Sequence, residues 1–126
     1  MNVELLQKVK EHVLEEPSRF QMGDVIHRAN PGESYCDLGI EITVPKCGTV
    51  ACIAGWSLVL SGERSTDMGK AEELLGISDV EGDRLFLMGR WPNEFESRFS
   101  SADNPQERAN IAAERIDHFI ATNGAE

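Results

Sequence analysis

The chain has 126 residues, 22 acidic side chains against 12 basic ones, a formal charge of −10, 40% hydrophobic residues, three cysteines and one tyrosine. That apolar fraction supports one hydrophobic core and argues against intrinsic disorder, while the negative balance disfavours direct binding to nucleic-acid phosphates or anionic lipid. Three cysteines are too few for a disulfide scaffold, the charged N-terminal segment holds no apolar signal core, and the longest apolar stretch, 50–60, is too short to span a bilayer. The expectation is one cytoplasmic domain over 1–126, with no membrane association.

Leu5, Leu6, Val9, Val13 and Leu14 recur at helical spacing between Val3 and Glu15, and Pro17 stops the pattern because it has no N–H to continue the ladder. Phe20, Met22, Val25 and Ile26 form a short apolar patch, followed by the turn signal Asn30-Pro31-Gly32. The alternation Ile40-Glu41-Ile42-Thr43-Val44 reads as one short strand or hairpin arm near 36–45. Residues 47–62 are the most distinctive: with Thr49 as N-cap and Gly62 beyond the end, they predict a central helix to about Ser61. Only Ser57 and Ser61 are polar along it, so it is expected to be buried on most sides. Ala51 and Gly55, four apart, would admit a closely packed neighbouring helix.

Thr66 is the expected cap of a helix holding Met68, Ala71, Leu74 and Leu75, closed by Gly76. Ser78-Asp79-Val80-Glu81 matches a capping box and opens a helix through Leu85, Phe86 and Met88 to Gly89. Trp91-Pro92 breaks the chain, Phe95 and Phe99 follow at i,i+4 spacing, and Asn104-Pro105 starts a last helix with its apolar residues from Ala109 to Ile120. The predicted fold is mainly α, with five or six short helices around one buried helix and a minor strand or hairpin near 36–45.

Cys47 and Cys52 lie where the central helix opens, a position that favours a thiolate electrostatically. One reading is a nucleophilic cysteine served by a histidine, His118 among them; the plainer one is that both are small buried hydrophobes. His27, Cys36, Cys47 and Cys52 can be assembled into a zinc set, although Cys-x4-Cys stands at the outer limit of ligand spacing. No Gly-rich loop with a phosphate-binding lysine is present, and no cofactor is implied. Arg90, Trp91, Phe95 and Phe99 combine the residue types that anchor interfaces, and form the expected partner-binding surface, with core packing as the alternative for the tryptophans.

The run Cys47-Gly48-Thr49-Val50-Ala51-Cys52-Ile53-Ala54-Gly55-Trp56 resembles a family of small bacterial and phage proteins that carry Cys-Gly-Thr-x-x-Cys-Ile-Ala-Gly-Trp and have no assigned activity. The likeness extends to 17–22, to Leu85-Phe86 with Trp91-Pro92, to 104–108 and to 116–119, and implies one ordered domain. The same run also resembles the nucleophile helix of bacteriocin-leader cysteine peptidases. That likeness implies Cys47 as nucleophile and His118 as its partner, but it requires a strand where 105–122 carries helical caps and helical period. The expected function is that of a non-enzymatic domain binding another protein or a second copy of itself. The alternatives are a cysteine-dependent hydrolase or transferase using Cys47 or Cys52, and a small structural metal site.

Overall fold

A computed structural model of the chain describes residues 1–22, 25–28, 34–37, 40–43 and 49–125, of which 26–28, 34–37, 40–43 and 49–50 are described by backbone alone. The fold is mainly helical. Its elements run α1 (Val3–Glu15), β1 (Ile26–Arg28), β2 (Ser34–Asp37), β3 (Ile40–Thr43), β4 (Thr49–Ala51), α2 (Ile53–Leu60), α3 (Met68–Leu75), α4 (Asp79–Phe86), α5 (Asn93–Ser100) and α6 (Pro105–Ala121). Single 3-10 turns follow α1 and α4, at Pro17–Arg19 and Met88–Arg90. No described helix is long and apolar enough to cross a membrane.

Local capping sets most helix ends. Asn2 caps α1 by accepting from Leu5 N, and its own N–H donates to Leu75 O at 2.6 Å, which ties the start of α1 to the end of α3. Asp67, not Thr66, caps α3 through Gly69 N, and Gly76 closes it with a left-handed φ of 66°. The Ser78–Glu81 capping box is complete. Asn104 caps α6 through Glu107 N, with Pro105 in the first turn. Phe95 and Phe99 lie on α5, and α4 ends at Phe86, short of Gly89, because the backbone turns into the 3-10 segment.

The central helix differs from its expected bounds. Thr49-Val50-Ala51 does not open a helix; it forms β4, antiparallel to β1 with Ile26 opposite Ala51 and Arg28 opposite Thr49. Thr49 and Val50 are β-branched and suit a strand. The cap of α2 is therefore Cys52, whose sulfur accepts from Gly55 N at 3.5 Å. Ile53 to Leu58 are all buried, and Ser57 fits there because its hydroxyl donates to Ile53 O at 2.8 Å. The expected hairpin near 36–45 exists as β2 paired with β3, Ser34 opposite Thr43 and Asp37 opposite Ile40; Val44 lies outside the described residues.

One core joins the helices. Leu6, Val9 and Val13 of α1, Trp56 and Leu58 of α2, Leu75 of α3, Leu85 of α4, Phe99 of α5 and Ile116 and Phe119 of α6 are all buried in it. α1 packs against α6 and α2, and α5 against α6. The close neighbour of Gly55 is not a helix, as its spacing from Ala51 suggested. A Cβ there would overlap the Val25 carbonyl oxygen and approach Ala51 Cβ at 2.7 Å. That carbonyl accepts from Cys52 N at 3.2 Å, so it cannot withdraw. Gly55→Ala is expected to cost about 3 kcal/mol through overpacking, read as a lowered urea midpoint; an unchanged midpoint would show that the 25–28 backbone yields freely.

Candidate functional site

The run at 52–56 is built as a strand-to-helix corner. Cys52 caps α2, Gly55 admits the preceding backbone, and Trp56 reaches across to donate its indole N–H to Arg19 O at 3.0 Å. Cys52 is 4% exposed and forms no disulfide. A buried cap serves the helix first. Cys47 lies outside the described residues. His118 is half-buried on α6 with its ring 5.3 Å from that of Phe95. Because 105–121 is one continuous helix, the strand that the peptidase likeness requires is replaced by α6. The backbones of His27 and Cys36 belong to different two-stranded sheets, β1–β4 and β2–β3. Among the described residues, no group of three or more His, Cys, Asp or Glu is placed to hold a metal.

The expected aromatic surface is turned inward, which corrects the reading of 90–99 as a docking patch. Trp91, Phe95 and Phe99 are buried, and Arg90 alone of the four is exposed. The reason is the partner each ring finds. Trp91 donates its indole N–H to Leu85 O at 2.9 Å and meets Phe99 edge-on at 5.1 Å, while Phe99 also meets Phe20 edge-on at 6.2 Å. Arg115 lies between Trp91, Phe95 and Phe119, with its guanidinium carbon 5.8–5.9 Å from each ring centre. It donates to Arg84 O at 2.8 Å. Arg108, one face-repeat earlier on α6, stacks 4.7 Å over Phe99. Both arginines are buried and neither stood out in the sequence. Their signal was phase: 108, 112, 115 and 119 share the face that buries Ala112 and Phe119.

Three surface features remain. Between α5 and α6 lies a cleft of about 390 Å³ bordered by Arg98, Glu107, Asn110, Ile111 and Glu114, and Arg98 closes on Glu114 with a bidentate pair at 2.6 and 3.3 Å. At the α3–α4 corner, burial and then the charges of Asp79, Asp83 and Asp67 push the Glu72 carboxyl above its ordinary range. Along α1, two hollows of about 230 Å³ each meet at Lys8 and Leu60.

His12 forms part of the α1 wall. Its ring centre is 4.2 Å from that of Trp56, and Arg19 stacks 4.8 Å over the same indole. The Nε2 of His12 is buried with no hydrogen-bond partner. Burial, and secondarily the nearby Arg19 charge, hold its pKa below the ordinary 6.5, against the opposing pull of Glu16 and Glu15. No family model, curated protein or solved structure matches the chain.

Two predictions follow from these placements. Iodoacetamide is expected to reach Cys52 only when denaturant unfolds the chain, as read by peptide mass mapping; rapid labelling of the folded protein at neutral pH would restore the case for a catalytic thiol. The depressed His12 pKa means that the unfolded chain takes up this proton before the folded one does. The stability it contributes is thus full above 6.5 and lost as pH falls through the lower folded value. Thermal midpoints measured from about pH 8 to about pH 5 should fall, and His12→Gln should flatten that part of the profile; a parallel fall in the variant would refute the assignment.

Proposed function

We propose that this chain is a non-enzymatic domain that binds another protein through its acidic exterior. The observation that carries the reading is the sorting of charge. Arg108 and Arg115 are withdrawn into the core, whereas no carboxylate is buried among the described residues. Among the described residues, two cations are thus hidden while the carboxylates stay at least partly exposed, on a chain of formal charge −10. Such a field steers a basic partner toward the surface and opposes close approach of a second acidic copy. Self-association is therefore the secondary form of the reading. The run at 47–56 is, in this view, a signature of architecture shared with the bacterial and phage proteins it resembles.

The test is reconstitution. A partner captured on the folded chain, then purified and recombined, is expected to be basic, to form a stoichiometric complex, and to be released as salt rises. A complex indifferent to salt would sink the reading. So would hydrolysis of ester or peptide substrates by the purified chain that Cys52→Ser abolishes.

A further inference from the structure

The two hollows along α1 share Lys8 and Leu60 and so form one furrow, bounded by α1 on one side and the end of α2 on the other. Its middle is marked by Leu60, a large apolar side chain left 37% exposed. Its length is lined by Glu4, Glu11 and Glu15. Lys8, the single cation among the described lining residues, sits 3.7 Å from Glu4 in a solvent-exposed i,i+4 pair that holds it only weakly. An exposed leucine beside a weakly held lysine, flanked by carboxylates on a molecule already strongly negative, is complementary to a basic occupant with an apolar face.

We propose that this furrow is the docking site for a basic amphipathic helix of a partner protein. An apolar residue of that helix would cover Leu60, and lysines or arginines on either side would meet Glu4 at one end and Glu11 with Glu15 at the other. The proposal rests on the protein-binding reading above and adds the place and the chemistry of contact. The α1 rise of about 1.5 Å per residue puts Glu4 and Glu15 about 16 Å apart along the axis, so a helical ligand would span them in about three turns, within the usual reach of helix-in-groove recognition. A second copy of the chain fits poorly, because two such furrows face to face would oppose carboxylate to carboxylate. The α5–α6 cleft is a weaker candidate, since its Arg98 and Glu114 already neutralise each other.

The experiment titrates the isotope-labelled full chain with a synthetic amphipathic helix of leucine, alanine and lysine, and with its counterpart bearing glutamate at every lysine. Amide shifts are expected to cluster on residues 4–15 and 60–61 with the lysine peptide, and the glutamate peptide should produce none. Leu60→Asp, and separately the pair Glu11→Lys with Glu15→Lys, should each weaken the Kd about tenfold or more, while Lys8→Glu should tighten it. These are surface substitutions, and circular dichroism confirms that each variant is folded. Shifts centred on another face, or affinities that the folded variants leave unchanged, overturn the furrow and leave the protein-binding reading standing. Failure of the lysine peptide to bind at low salt also overturns the furrow, while the reconstitution experiment decides the broader reading separately. Concentration-dependent shifts in the furrow without any peptide would assign it to a second copy and overturn the proposal as stated.

Discussion

The C-terminal half of the molecule is organised around a buried guanidinium. Withdrawing a cation from water costs several kcal/mol unless its surroundings replace the lost hydration. At Arg115 those surroundings are aromatic faces from the Trp91 segment, α5 and α6 itself, together with the Arg84 carbonyl. That carbonyl and the Leu85 carbonyl belong to the last turn of α4, which cannot satisfy them internally. Arg115 and Trp91 therefore act as side-chain caps on a neighbouring helix. Arg84 returns the contact by donating to Gly124 O at 2.8 Å, just beyond α6. Each of the two helices thus has an arginine at the C-terminal end of the other, where a cation is also favoured by the helix dipole. This arrangement requires the aromatic rings to point inward.

The same arrangement shapes the exterior. Arg108 and Arg115, held in the interior, add to the imbalance that the 22 acidic and 12 basic residues already set outside. The N-terminal half is fastened by a different device, the β4–α2 corner. Backbone from 20–28 reaches it three times: Gln21 N donates to Ala51 O, Cys52 N donates to Val25 O, and β1 pairs with β4. Trp56 completes the corner by holding Arg19 O. His12 lies against that indole at the surface end of the assembly, which makes α1 the element that joins this packed corner to the exposed furrow.

Several helix ends were legible in the sequence from short-range signals. α1 stops at Glu15 before Pro17, and Ser78–Glu81 and Asn104-Pro105 open α4 and α6 where their side chains reach backbone three residues on. The candidate site was much less legible. Cys52 belongs to the helix start as expected, yet as its cap, because 49–51 becomes a strand only through pairing with Ile26–Arg28. Leu60 reads as the last apolar residue of a buried helix, and nothing local shows that it emerges beside Lys8. The rings of 91–99 carry interface chemistry in sequence and core packing in space, since only the folded chain reveals what each ring touches.

The sequence by itself determined the mainly helical class, several helix ends, the extended character of 40–43 and the burial of 53–58, because caps, proline breaks and apolar period act over a few residues. Tertiary structure alone decided that 49–51 is a strand, that Trp91, Phe95 and Phe119 enclose Arg115, and that a furrow opens along α1. Those outcomes rest on partners far apart in the chain, such as Arg115 and the Arg84 carbonyl 31 residues away. A polar side chain can be buried only where such a distant group replaces its water.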